Sequence, residues 1–163
     1  MYSVRLAKEH HVFSAAHFIT FGAPGATICE RLHGHNYRVS VEVDGPLDEN
    51  QYVIDFIALR DELKAITDEF DHRMLLPTGH PLIRVTAGER EVEVVFTPDG
   101  RRWVFPAGDC AILPVANTTA ELLAQYIGQR LLAAIARRTA VNPSRLEVAV
   151  DENHGQWGVW CSA

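Results

Sequence analysis

The chain has 163 residues, of which 47% are hydrophobic and 22% charged, with a formal net charge of −6. Those values fit one globular domain around a single core, and the negative charge argues against a general nucleic-acid or membrane-surface binder, which needs a cationic face. Cys29, Cys110 and Cys161 lack the spacing of a disulfide framework or zinc ribbon, and with no export signal and no apolar run of the ~18 residues a membrane span needs, a soluble, cytoplasmic, reducing setting is expected.

Residues 2–17 predict a strand in which Phe13, Ala15 and His17 alternate toward one face, and 18–28, carrying Gly22, Pro24 and Gly25, predict a loop. The stretch Cys29-Glu30-Arg31-Leu32-His33-Gly34-His35-Asn36-Tyr37 opens the next strand, where Tyr37, Val39, Val41 and Val43 alternate with Arg38, Ser40 and Glu42 up to a turn at Asp44-Gly45-Pro46. By that period His33 and His35 share the apolar, inward face. An unpartnered imidazolium pointing inward is costly. A metal removes the cost, since neutral imidazole suits zinc and a catalytic zinc takes three protein ligands while leaving one position for water or substrate. His17 is the best-placed third ligand. The plainer alternative, ordinary core histidines, has to explain a glycine between them and a thiol four residues upstream.

Apolar residues at Phe56, Leu59, Leu63, Ile66 and Phe70 predict an amphipathic helix with Asp55 as its N-cap. Asp71-His72 follows directly. An aspartate can fix the tautomer of a neighbouring imidazole and raise its basicity, which would make a proton shuttle, but the dipeptide alone reads more simply as a histidine favourable to the helix dipole. Residues 77–113 predict an inserted small sheet, with a hairpin around Thr97-Pro98-Asp99-Gly100 and a further strand at Ile83 and Val85. Nothing in it has ligand spacing, and Cys110 reads as a buried small hydrophobe.

A second helix starts at 117–121, where Thr118 and Glu121 match a capping box, and carries the stripe Leu123, Ile127, Leu131, Ala134 and Ile135. Two strands close the chain: Leu146, Val148 and Val150 alternate with Glu147, Ala149 and Asp151, and the last strand covers 157–161. By parity Glu152 continues the apolar face, so its carboxylate either finds a partner or sits at a solvated strand end. The order predicts an α+β domain spanning 1–163, with two helices on one face of a four-stranded antiparallel sheet and the insert between the helices.

With these residues in hand the chain resembles the 6-pyruvoyltetrahydropterin synthase and 6-carboxytetrahydropterin synthase family, whose subunits have the tunnelling fold (T-fold). The resemblance rests on Phe13-Ser14-Ala15-Ala16-His17, on the C-x-x-x-H-G-H pattern of Cys29 to His35, on Val53-Ile54-Asp55-Phe56, on Asp71-His72, on the segment 117–121 and on Glu152. It implies that His17, His33 and His35 bind zinc, that Cys29 is the general base, that Asp71 and His72 relay protons and that Glu152 holds the pterin through paired charge-assisted hydrogen bonds. A Cys29 thiol near cations would be partly thiolate. The implied substrate is 7,8-dihydroneopterin triphosphate, with loss of triphosphate.

The three-residue gap between Cys29 and His33 looks like the carboxy-forming branch of the family, which supplies queuosine and other deazapurine pathways; the pyruvoyl-forming branch, or another pterin, is the alternative. The insert and Thr118-Thr119-Ala120, in place of the usual Pro-Thr-Ser, depart from the family pattern. By analogy the resemblance also implies a homo-oligomer, trimer-based or hexameric, with sites between subunits. Two readings of other classes stand beside it: a non-catalytic pterin-binding or assembly protein, and a zinc hydrolase sharing only the ligand set.

Overall fold

The computed structural model describes residues 1–8, 11–139 and 141–162. Its elements in chain order are β1 (Tyr2–Leu6), β2 (Val12–His17), β3 (Thr20–Phe21), β4 (Ile28–Cys29), β5 (His33–Gly45), α1 (Phe56–Asp68), β6 (Arg73–Pro77), β7 (Ile83–Ala87), β8 (Glu91–Phe96), β9 (Arg101–Pro106), β10 (Cys110–Leu113), α2 (Ala120–Thr139), β11 (Arg145–Asp151) and β12 (Trp157–Cys161). Where one strand was expected over 2–17 there are two, and Glu9 and His10, in the middle of that stretch, lie outside the described residues.

The chain divides into two compact units. The first comprises Met1–Phe13, Asn36–Glu69 and Ala120–Ala163. Here β5 pairs antiparallel with β1 and with β11, and β11 with β12. The alternation read from the sequence holds along β5, where Tyr37, Val39, Val41 and Val43 are buried. Both helices belong to this unit. Asp55 caps α1 as expected, its carboxylate accepting the amide of Ile57 at 2.8 Å. Leu59, Leu63 and Ile66 are buried, but Phe56, expected in the same stripe, is exposed. All five expected stripe residues of α2 are buried, and each leucine or isoleucine among them contributes about 1.5–3 kcal/mol relative to exposure. Gly158 permits the close packing of β12 on α2: a Cβ there would lie 2.4 Å from backbone atoms of Ala120 and Glu121.

The second unit comprises Ser14–His35 and Phe70–Thr119. In it β6 runs parallel to both β2 and β10, β3 pairs with β4, and β7, β8 and β9 form an antiparallel three-stranded sheet. One apolar face of that sheet, including Val92, Val94 and Phe96, is buried with Phe18, Cys29, Met74 and Leu76.

The ladder is longer than the four antiparallel strands expected: among the described residues it has seven, in the order β10-β6-β2-β5-β11-β12 with β1 also on β5, and it is mixed. The ladder strands missed in the sequence were β6 and β10, and the short pair β3 and β4 begins within 18–28, expected as a loop. Met74, Leu75, Leu76 and Pro77 are all buried, and a short strand covered on both faces shows no alternation to read. The segment 77–113 is accordingly not all insert, since β10 returns to the main sheet.

Candidate metal centre and its surroundings

His17 ends β2, and His33 and His35 open β5, so two strand termini bring the three imidazoles together. Gly34 permits it: a Cβ there would stand 3.2 Å from the Ala15 carbonyl oxygen. The rings meet edge to face, with centroids 4.7, 5.3 and 4.9 Å apart for His17–His33, His17–His35 and His33–His35. One ligand nitrogen from each lies within 4.8 Å of the others, a group that could hold a metal ion.

Hydrogen bonds set the tautomers. Nδ1 of His17 donates to the Thr118 carbonyl at 2.9 Å and Nδ1 of His33 to the Arg31 carbonyl at 2.8 Å. In the neutral rings both Nε2 atoms then carry lone pairs, yet they face each other at 3.2 Å. Two acceptors at that distance need a cation between them or a proton on one ring. Burial, reinforced by His33 and His35, pushes the pKa of His17 down to about 4, and burial likewise lowers that of His35. Three imidazole nitrogens grouped in this way are a donor set that could hold a metal ion.

Thr118 is itself moored. The expected capping box is not how its hydroxyl is used: it donates to the Phe18 carbonyl at 3.2 Å, and α2 starts at Ala120. Asn117 accepts the amide of Thr118 at 3.1 Å and that of Thr20 at 3.3 Å and donates to the Thr20 carbonyl at 2.9 Å. The Thr20 hydroxyl meets Nε2 of His80 at 2.6 Å, while Nδ1 of His80 accepts the Leu82 amide. A side chain that imitates strand pairing thus holds the carbonyl that orients His17. The only sequence signal for it was an asparagine just ahead of a helix.

Cys29, on β4, is buried, with Sγ donating to the Glu30 carbonyl at 3.6 Å. Burial raises its pKa; the charge of Arg101 lowers it, but by less. The expected partial thiolate is therefore not a property of the chain by itself. Arg101 comes from the three-stranded sheet: it donates to the Cys29 carbonyl at 2.9 Å, pairs with Asp99 at 2.7 Å and lies over the rings of Phe96 and Trp103.

Asp71 and His72 form the expected pair, Nδ1 to Oδ2 at 2.9 Å, with the His72 side chain 82% exposed. The pair is clipped to β2, since Asp71 accepts the Ser14 amide at 2.8 Å and the His72 amide donates to the Ser14 carbonyl at 2.6 Å. The Ser14 amide, more than His72, holds the Asp71 carboxyl below its usual range. His72 has φ of 57°, a left-handed conformation a non-glycine residue adopts only when its surroundings impose it.

Glu152 follows β11 and is half-buried. The hydroxyl of Tyr37 is hydrogen-bonded to it. Asp151 keeps the outer-face position that the alternation gives it, opposite Arg38, yet it is buried there: its Oδ1 accepts the amides of Gly155 at 2.8 Å and Gln156 at 3.1 Å.

A family model described as 6-pyruvoyl tetrahydropterin synthase matches residues 5–161. A Methanocaldococcus jannaschii protein provisionally named 6-carboxy-5,6,7,8-tetrahydropterin synthase is 32% identical over 145 residues, 88% of this chain and 85% of that protein. The 6-carboxy-5,6,7,8-tetrahydropterin synthase of Bacillus subtilis is 40% identical over 75 residues, 45% of this chain and 47% of that one. Among solved structures, the 6-pyruvoyl tetrahydropterin synthase of Plasmodium falciparum has a TM-score of 0.88 at 27% identity, covering 99% of this chain and 97% of its own. A catalytic-residue mutant of the Plasmodium vivax enzyme gives 0.88 at 25% identity over the same shares. With 99% of this chain covered, the three-stranded sheet falls inside the matched fold instead of departing from it.

Proposed function

The chain belongs to the 6-pyruvoyl tetrahydropterin synthase family, and on that premise we propose that it is a zinc-dependent lyase that converts 7,8-dihydroneopterin triphosphate to 6-carboxy-5,6,7,8-tetrahydropterin and releases triphosphate. The observation that carries the metal part is the facing pair of Nε2 atoms. Their 3.2 Å spacing suits two ligands of one tetrahedral ion, roughly 3.3 Å apart at Zn–N distances of about 2.0–2.1 Å. His17, His33 and His35 are the zinc ligands. Held there, zinc would supply Lewis-acid polarisation of a substrate side-chain oxygen, which would acidify the adjacent C–H bond.

The protein's own groups do the rest. Glu152 accepts the amino and ring N–H edge of the pterin in a bidentate, charge-assisted pair and so sets the position of the side chain. Cys29 takes the proton from the side-chain carbon. Its thiol, held up by burial in the chain alone, needs a bound cation nearby to become a thiolate at neutral pH. Asp71 holds Nδ1 of His72 and leaves Nε2 to move a proton between donor and acceptor. Chemistry takes place between subunits of a trimer-based homo-oligomer, the arrangement implied by the family resemblance.

The names of the archaeal and Bacillus relatives favour the carboxy product, whereas the structural likeness to the Plasmodium 6-pyruvoyl tetrahydropterin synthases supports a second reading, the pyruvoyl product. Carbon count separates them, because the carboxy product keeps one side-chain carbon and sheds a two-carbon fragment while the pyruvoyl product keeps all three. Zinc-loaded protein incubated with 7,8-dihydroneopterin triphosphate should release triphosphate, and mass spectrometry of the pterin identifies the product. No release by folded, zinc-loaded protein would refute the lyase reading. Pterin binding without turnover, unchanged in Cys29→Ala, would favour a binding protein instead.

A further inference from the structure

We infer that Tyr37 is a positioning residue for the pterin-anchoring carboxylate, its buried hydroxyl fixing Glu152 while Arg38 and Asp151 fix the loop that carries it. The inference rests on the proposed role of Glu152. Tyr37 and Arg38 are neighbours on β5 and point to opposite faces, and each meets one member of the neighbouring acidic pair Asp151 and Glu152. Register makes this possible, because Arg38 stands opposite Asp151 in the β5–β11 pairing.

Tyr37 is fully buried and stacks on Phe13 with centroids 4.8 Å apart and planes 14° from parallel. A phenol so placed needs a polar partner for its hydroxyl, and Glu152 is that partner. A phenol is an O–H donor, and a carboxylate accepts. The loop beyond is closed just as tightly. The Glu152 amide donates to the Gln156 carbonyl at 3.0 Å, Asp151 accepts the two loop amides from the inside, and Arg38 lies 3.1 Å from Oδ2 of Asp151 as a charge contact. His154 is left-handed, with φ of 47°.

The chemical consequence is pre-organisation. A free glutamate side chain loses rotamer freedom when it clamps a ligand, and a carboxylate has about four lone-pair sites. The bond from Tyr37 restrains the rotamer, so that part of the ordering is complete before the N–H edge of a pterin arrives.

The test uses the full-length, zinc-loaded protein with fluorescent neopterin as the probe, and compares Tyr37→Phe, Glu152→Gln and the double variant. Loss of one hydrogen bond to a charged group predicts that Tyr37→Phe binds neopterin about tenfold more weakly. With the triphosphate substrate KM should rise by a similar factor and kcat stay within about twofold, a split that general loss of structure would not give. Acting through Glu152, the substitution should add nothing in the double variant. Parent-like binding by Tyr37→Phe alongside loss in Glu152→Gln would overturn the inference, and so would additive losses. Parent-like binding by Glu152→Gln would remove the premise and the inference with it. If Tyr37→Phe does not fold, difluorotyrosine at position 37, a stronger donor of nearly the same shape, should tighten binding; unchanged or weaker binding would count against the role.

Discussion

Asn117 gives the sharpest test of how the imidazole trio is held. Replacing it with alanine removes its bonds to the Thr20 amide, the Thr20 carbonyl and the Thr118 amide. Two backbone amides then lose their acceptor, and an unsatisfied buried donor costs about 1–3 kcal/mol; because this segment is only partly buried, water recovers part of that, and a stability loss of about 2 kcal/mol is expected. The second effect reaches the metal. Thr118 keeps only its hydroxyl bond to the Phe18 carbonyl, so the carbonyl that accepts Nδ1–H of His17 fixes the ring less firmly. Removing a group that orients a ligand costs about 10–100-fold in metal affinity, and zinc competition against a chromophoric chelator at pH 7.5 would read it. The assay should show that loss in Asn117→Ala, while urea unfolding shows the variant still folded. Zinc affinity within twofold of the parent, in a variant with the expected stability loss, would refute the claim that this network orients His17.

Other outcomes follow from the same geometry. In metal-free protein His17 resists protonation down to about 4, against 6.5 for an unperturbed histidine; the unfolded chain takes up that proton first, so stability present above pH 6.5 falls toward pH 4, by about 2 kcal/mol at pH 5. Urea midpoints at pH 7.5 and 5 measure this, and an equally steep fall in His17→Asn would contradict it. Gly158→Ala would force a Cβ to within 2.4 Å of the first turn of α2, an overpacking worth about 1–3 kcal/mol and seen as a lower thermal midpoint; a change under about 0.5 kcal/mol would show that the helix yields. Arg101→Met removes the cation that opposes burial at Cys29, so peptide-resolved alkylation of Cys29 should shift to higher pH, and an unshifted profile would exclude electrostatic tuning by Arg101.

What local sequence decided is what period and backbone chemistry can encode. The alternation along 37–43 and the three-and-four spacing of α1 and α2 reflect burial on one face, which each segment carries in itself. The pair His33 and His35, with His17 on a neighbouring strand end, was legible for the same reason: strand parity fixes direction before any packing. Asp55 was legible because an N-cap bonds only two residues away.

What needed the tertiary structure is everything whose partner is distant in sequence or whose two faces are both covered. Strand β6 carries no alternation because Met74 to Pro77 are covered on both faces, and β10 is only four residues long, with Ile112 alone exposed. Asp151 reads outward by parity and meets Arg38 on that face, yet it is buried, because the loop after it donates two amides to its carboxylate. The supports of the site (Asn117 on Thr20, Thr118 on His17, Arg101 on Cys29, Tyr37 on Glu152) join residues about 70 to 115 positions apart. Sequence can name a group able to bond, but only the folded chain, by excluding water from both ends, decides which bond is made.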